Sequence, residues 1–332
     1  MQILDNFSSI ERYKWAQFVL NHPQGNIFQT PEMYEIFEKT KNYYPLIISL
    51  KSKGKIAGIF LSVIQKEYPA LGILTSRSIV WGGPLVIPEN PKLVTLLLNE
   101  YKSQIGGKAL YTQIRNLYDT NNLQIDLESQ GFKFSDHLNY ILDIEAGEEY
   151  VWKSMNKKRR NTIKKAIKSD LKIIEVDNLE EITYSYNILE KVYNNARLPL
   201  ADFSLFKNSF EILGPKRMIK CFSAIFDGKS IGTLWILTYN GRIYDWYSGS
   251  LNEYLNKCPN DLLIWHAIKW GINAKFKSFD FGGAGKPDVP YGVRDFKKKF
   301  GGVETNFGRF EKSHSPILHS MLQTSFKVFN KI

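Results

Sequence analysis

The sequence predicts an α+β protein of two domains, and three observations lead there. A chain of 332 residues is long for a single hydrophobic core. Its composition, 43% hydrophobic with 14% aromatic residues, can fill two cores, and the 23% of charged residues keeps the surface soluble. Within it one short unit is written twice, and a repeat that mixes strand and helix patterns reads as a duplicated α+β fold.

The elements of the repeat follow in the same order in both copies. YPLIISL runs into KGKIAGIFLSV (53–63), and MIKCFSAIF runs into DGKSIGTLWIL (227–237). Each pair is two alternating apolar runs around a turn, which predicts a β-hairpin. An aromatic strand that breaks at Gly comes next, SIVWGGPLV (78–86) in one copy and IYDWYSGS (243–250) in the other. Helices are predicted over PKLVTLLLNEYKSQI (91–105) and NDLLIWHAIKWGINA (260–274). In the second, Leu262, Trp265, Ile268 and Ile272 recur at helical spacing, and Asn260 or Asp261 is the expected N-cap. Strands KALYTQIRN and KSFDFGG close the two units.

Between the copies lies KSMNKKRRNTIKKAIKSDLK (153–172), which holds nine Lys or Arg and one Asp. Met155, Ile163, Ile167 and Leu171 fall at near-helical spacing, so one basic amphipathic helix is predicted to open the second domain. Such a face attracts phosphates of a nucleic-acid backbone or a pyrophosphate, or is simply solvated. The formal net charge of +11 points the same way, toward nucleic acid, phosphates or an anionic membrane surface, without choosing among them.

Several chemistries are excluded by what the chain lacks. Cys221 and Cys258 are the only cysteines, too few for a disulfide framework or a CxxC zinc site. The five histidines, at 22, 137, 266, 314 and 319, show no metal spacing, and His266, within an apolar helix run, is expected to be packed or half-exposed rather than catalytic. No G-x-S-x-G elbow is present. The N-terminus carries early acidic residues and no apolar h-region, and no apolar run is long enough to span a bilayer, so the expectation is a cytoplasmic, metal-free protein.

The stretch DFGGAGKPDVPYGVRDFKKKFGG (280–302) imitates a phosphate loop but fails on spacing. A Walker sequence would need Gly and Ser or Thr where Asp280 and Pro287 stand. Pro287 and Pro290 oppose the helix a dinucleotide loop must open, so the glycines read as a strand end and a tight crossing. In the preceding aromatic strand, regular alternation would send Tyr244, Trp246 and Ser248 to one face and Asp245 and Tyr247 to the other. One face belongs to the core; the other faces a ligand or solvent.

The succession KKRRNTIKKA, YDWYSGS, NDLLIWHAIKWG, FDFGG and GVRDFKKKFGG resembles the second half of the Fem family of peptidoglycan-bridge aminoacyltransferases, within the GNAT superfamily. NIFQTPEMYEIFEKTKNYYP and VWGGPLV resemble its first half. The resemblance implies two tandem GNAT-like domains, each a mixed, mostly antiparallel sheet flanked by helices. Their limits are expected at 1–147 and 148–312, with residues 313–332 returning to the first domain on a stripe of Ile317, Leu318, Met321, Leu322 and Phe326. A substrate cleft is expected between the domains.

It further implies transfer of an aminoacyl group from aminoacyl-tRNA to an amine of a lipid-linked or nucleotide-linked muropeptide, in cell-wall biogenesis and the maintenance of cell shape. The family's Phe-Lys pair falls on Phe296 and Lys297, with Lys297 stabilising the charge that develops on the ester carbonyl, or the tRNA end. Lys39 and Arg197 match the positions that hold acceptor phosphates, and Tyr247 matches a cleft-facing tyrosine. Trp246 and Asp280, in the two aromatic segments, complete the substrate-binding candidates. No cofactor is implied. A monomer is expected, with peripheral contact at the inner membrane face compatible with the charge.

Two other functions compete. An acyl-CoA-dependent N-acyltransferase of an amino sugar or amino acid would carry Q/R-x-x-G-x-G/A before the helix of its unit. GSLNEYLNKCPN and GGPLVIPENP, which stand there, do not contain it. A non-enzymatic nucleic-acid or membrane binder would explain the charge and leave the DFGG and FKKKF stretches without a role.

Overall fold

Two alternating runs joined by a two-residue turn must twist together, and both hairpins do so through left-handed pairs. Lys53 and Gly54 have φ of 47° and 78°, and Asp227 and Gly228 have 49° and 69°, the backbone that the twist of an antiparallel pair favours. The structure is a computed structural model that describes residues 2–67, 69–316 and 318.

The chain forms two compact units, one reaching to Asp136 and resuming at Phe307, the other His137–Asn306. The first contains β1 (Gln2–Leu4), α1 (Arg12–Asn21), α2 (Pro31–Lys39), the hairpin β2 (Tyr43–Ser52) and β3 (Lys55–Lys66), β4 (Ser76–Trp81), β5 (Leu85–Val86), α3 (Leu93–Ile105), β6 (Tyr111–Arg115), α4 (Gln124–Ser129) and β7 (Lys133–Ser135). The second contains β8 (Leu138–Asp143), α5 (Glu148–Ser154), α6 (Lys157–Lys168), β9 (Lys172–Glu175), α7 (Leu179–Asn195), α8 (Phe203–Leu213), the hairpin β10 (Ile219–Phe226) and β11 (Lys229–Tyr239), β12 (Arg242–Ser250), α9 (Pro259–Asn273), β13 (Ser278–Gly283), α10 (Gly292–Lys298) and β14 (Val303–Asn306). The last strand, β15 (Arg309–Ser313), rejoins the first unit.

Each unit is built on one mixed sheet. The first runs β1-β2-β3-β4-β6-β15-β7, with β5 on β3, and the second runs β14-β8-β13-β12-β11-β10-β9. All pairings are antiparallel except β4 with β6 and β12 with β13. In both units the parallel pair is bridged by the helix of the repeat, α3 or α9, as a crossover requires. Helices flank the sheets: Phe60, Leu97, Tyr101 and Ile114 share the first core, and Leu234, Ile236, Leu263 and Phe279 the second. On the opposite face of the second sheet, Trp235 is sealed by Phe206 of α8 and donates its indole N–H to Ser185 of α7 at 2.8 Å.

The unit limits fall before β8 and before β15, whereas the sequence reading drew them at 147 and 312. β8 is a central strand of the second sheet, between β14 and β13, so the second unit begins one strand ahead of the basic segment. Of the expected C-terminal stripe, Ile317, Met321, Leu322 and Phe326 lie outside the described residues.

Two local expectations are corrected. The basic segment is not one helix: Met155 leaves helical geometry, and Asn156 caps a new helix by accepting from Lys158 N at 2.9 Å. This cap gives the free N–H groups of α6 a partner, so the break is stable. Residues from Lys172 are strand, and Ile167, expected on the buried stripe, is 56% exposed. The second correction concerns α9, whose N-cap is Cys258 at φ 60°, with Pro259 in the first turn where its fixed φ suits a helix start. Asn260 and Asp261 are inside the helix and turned to other partners, Ser250 at 2.6 Å and Arg159.

Candidate active site

The parallel strands β12 and β13 pair over only three residues, Arg242 with Ser278, Ile243 with Phe279 and Tyr244 with Asp280. Beyond that point β12 stays with β11, and β13 stays with β8, its other neighbour, with an irregular register between Asp280 and Gly283. The two strands therefore part just beyond Tyr244 and Asp280, and the backbone groups that would have joined them are released there.

A β-bulge shapes the β12 side of this opening. Trp235 faces Tyr247 and Ile236 faces Asp245, so Trp246 is the extra residue. The expected regular alternation of residues 244 to 248 is thereby broken: Trp246 and Tyr247 both pack on Phe206, at ring separations of 5.7 and 4.8 Å. Tyr193 of α7 lies 6.0 Å from Tyr247, ring to ring.

The β13 side is completed by α10. Lys297 is half-buried, and its ammonium donates to the carbonyl oxygens of Phe281 and of Gly283, the latter at 2.9 Å. Two of its three N–H donors are thus spent on the loose end of β13 and the third is left for another acceptor. Gly282 supplies the left-handed turn that this arrangement needs. Its φ is +67°, and a Cβ there would stand 3.4 Å from Asp245 O and 3.9 Å from Lys297 Nζ.

The charges around the opening are coupled. Burial pulls the Lys297 ammonium below its ordinary range, and the nearby carboxylates of Asp245 and Asp280 oppose that. Asp245 is pushed up to about 6 by burial, with Lys297 lowering it and Asp280 raising it. Asp280 is raised by burial, against hydrogen bonds from Asn139 and the Gly282 N–H. Those two bonds, both 2.8 Å, make Asp280 a brace for the end of β13. Tyr193 is raised by burial and then by Tyr247, Asp245 and Tyr291, which places these four groups in one neighbourhood.

Phe296 plays a supporting part. Its ring lies 4.1 Å from the Arg159 guanidinium of α6 and stacks edge-on with Phe300, and its carbonyl accepts from Arg159 Nη2 at 2.9 Å. Arg159 is in turn ion-paired with the buried Asp261 of α9, so α10 is locked to the body of the second unit.

Of the seven site residues read from the sequence, the structure gathers Lys297, Asp280, Tyr247 and Trp246 around the parted strands, with Phe296 behind Lys297. Arg197 is exposed just past α7, in left-handed backbone at φ 52°. Lys39 is exposed at the end of α2 in the first unit. Asp245, Tyr193 and Tyr291 were not among the candidates. The signal for Asp245 was an acidic residue inside an aromatic strand; nothing local marks the two tyrosines.

Comparisons with known proteins agree with this architecture. Residues 157–298, from α6 to α10, match the acetyltransferase (GNAT) domain family, and the chain accordingly carries an acyltransferase domain. No curated protein matches the sequence. Among solved structures, FemX shares the fold over 97% of this chain and 99% of its own, with TM-score 0.74 at 16% identity. The C-terminal domain of an Agrobacterium fabrum protein described as a lysylphosphatidylglycerol synthetase matches over 96% of each chain, with TM-score 0.60 at 12% identity. A tandem GNAT protein from the clavulanic acid biosynthesis pathway matches over 94% of this chain and 98% of its own, with TM-score 0.61 at 8% identity. The fold is thus that of tandem GNAT-like units. Among the described residues no helix is long and apolar enough to cross a membrane.

Proposed function

We propose that this chain is a Fem-like aminoacyltransferase that moves an aminoacyl group from aminoacyl-tRNA to an amine of a peptidoglycan precursor. The observation that carries this reading is Lys297, fixed by two backbone carbonyls at the mouth of the parted strands with one N–H to spare. A carbonyl of the donor ester seated there would receive that N–H as negative charge develops on its oxygen, the interaction that helps acyl transfer most. The acceptor nitrogen attacks the ester carbon, the C–N bond forms, and the C–O bond to the ribose breaks. Asp245, poised at about 6, takes the proton that the attacking amine loses and returns it to the departing ribose oxygen, which leaves as a hydroxyl. A base in that range suits work near neutral pH.

The donor class is supported by the start of α9. Where a backbone-held pyrophosphate of CoA would sit, Pro259 supplies no N–H. An activated tRNA ester needs no such cradle. Arg197 is the second unit's candidate for an acceptor phosphate, and the fold shared with a protein described as a lysylphosphatidylglycerol synthetase makes a lipid headgroup the second acceptor to try.

The test is transfer of a labelled amino acid from aminoacyl-tRNA, with acyl-CoA as the rival donor, to a muropeptide precursor and to phosphatidylglycerol. Label is expected on the muropeptide from the tRNA donor alone. Transfer only from acyl-CoA would overturn the donor, and transfer only to phosphatidylglycerol would overturn the acceptor.

A further inference from the structure

The seven cations of α6 divide into two kinds. Arg159 points inward to Asp261 and Phe296, and Arg160 donates to the carbonyls of Lys153 and Met155 at the end of α5, so both are consumed by the fold. Lys157, Lys158, Lys164, Lys165 and Lys168 are all exposed. At 100° per residue these five and Asn161 lie within an arc of roughly 120°, opposite the buried stripe of Arg159, Ile163 and Ala166. The arc contains no carboxylate and no apolar side chain; the exposed Ile167 lies outside it, at the margin of the buried face. The result is a rod of lysines about 18 Å long.

This rod leads to the candidate active site. Asn156, the cap of α6, donates its N–H to Lys299 O at 3.0 Å, and Arg159 holds Phe296 O at 2.9 Å. Lys157 and Lys158 therefore adjoin Lys298 and Lys299 at the end of α10, the helix that carries Lys297. Cationic side chains thus extend from the end of the helix that carries Lys297 to the outer face of α6.

We propose that this surface is the docking platform for the sugar-phosphate backbone of the RNA donor, tracking the strand outward from the aminoacylated end held at Lys297. It rests on the reading of the site as a tRNA-dependent transferase. A hydrated polyanion is favoured over a bilayer because a helix that lies on a membrane turns an apolar face to the lipid, whereas the apolar face of α6 is spent on the core. Lys164 lies 6.0 Å from the Trp152 ring of its own unit, and flexible lysines of this kind read charge and not base identity, so the platform serves the donor whatever its sequence.

The test compares the wild-type chain with the variant Lys164→Gln/Lys165→Gln/Lys168→Gln, which leaves the α10 end intact, and with the control Lys53→Gln on the first hairpin. Binding of uncharged tRNA is measured by fluorescence anisotropy over a salt series. The triple variant should bind at least tenfold more weakly at low salt, and the slope of log K against log salt should shrink by about 2, given roughly 0.7–0.9 per phosphate contact. In transfer assays its KM for full-length aminoacyl-tRNA should rise with kcat unchanged, while a short aminoacylated RNA end that stops before α6 is used as by wild type. An unchanged affinity and salt slope would overturn the proposal. So would a loss of binding to phosphatidylglycerol vesicles with tRNA binding intact, since the surface would then serve a membrane. If no RNA donor supports transfer at all, the functional reading fails, and the anisotropy series still decides the surface by itself.

Discussion

The two copies of the repeat differ most at their parallel strand pairs. In the first unit β4 and β6 stay in register over five residues, from Arg77 with Tyr111 to Trp81 with Arg115, and Gly82 N–H extends the contact to Arg115 O at 2.9 Å. In the second, β12 and β13 separate after three. One sheet is zipped, and its Arg115 guanidinium lies 5.5 Å from the Trp81 ring. The other is opened by a bulge at Trp246, a turn of positive φ at Gly282 and a lysine that satisfies the released carbonyls. The same order of elements thus makes a scaffold in one case and a candidate active site in the other, and what separates them is a handful of residues at the end of one strand pair.

The support beneath the opening should be the easiest part to break. Arg159 and Asp261 form a buried pair, and Arg159→Met would leave the carboxylate stranded, at a cost of about 3–5 kcal/mol. Lys14 of the first unit, about half exposed beside an equally exposed Glu11, is the matching control, and Lys14→Met should cost about 0–1 kcal/mol. Denaturant melts measure both. The double variant Arg159→Met/Asp261→Leu should recover much of the loss, because no charge is then left buried; failure to recover would mean that the pair is needed for more than its own neutralisation.

Next in size is the loss of chemistry. Lys297→Met should lower kcat by about 10²–10³, some 3 kcal/mol of barrier, with a normal melting temperature. Near-normal kcat would remove Lys297 from the mechanism. Gly282→Ala should do less, since left-handed backbone costs an L-residue about 1–2 kcal/mol; the new methyl would meet Asp245 O and Lys297 Nζ only in ordinary contact, and the effect on activity would come from strain in the turn whose flanking carbonyls hold Lys297. Gly107→Ala in the first unit has the same backbone strain, φ +70°, with nothing within 4 Å of the added methyl. Both variants should lose similar stability, and only Gly282→Ala should lose activity.

How much of this was legible in the sequence follows the range of the forces involved. The hairpins, the crossover helices and the paired order of elements are local, and alternation and turn residues displayed them. Lys297 was reached by resemblance, and the short helix that carries it, Gly292–Lys298, was not predicted. The bulge was not legible, because YDWYSGS alternates well enough alone and only the register against β11 forces one residue out. Asp245 was passed over for the same reason: its raised pKa exists only once β13 and α10 have come to cover it. The break at Asn156 was hidden by composition, since a run of lysines and arginines reads as one helix until a cap is given weight.

The smallest effect distinguishes the two units by the sign of their response to acid. Asp245 in the second unit has its folded pKa raised to about 6 by burial, so between pH 4 and 6 the folded state holds more protons than the unfolded one and stability falls as pH rises. His314 in the first unit, bonded through Nε2 to Thr112 Oγ1 at 2.6 Å, is lowered by burial to about 4. Between pH 4 and 6.5 its folded state holds fewer protons, and stability rises with pH. Peptide-resolved hydrogen exchange, corrected for intrinsic rates, should show the strands of the second unit losing protection across this window relative to those of the first. Asp245→Asn should flatten the trend in the second unit and leave the first alone, and His314→Gln should do the reverse. A common trend in both units that survives both substitutions would show that other groups dominate the titration and that the contrast in burial between these two sites has no thermodynamic weight.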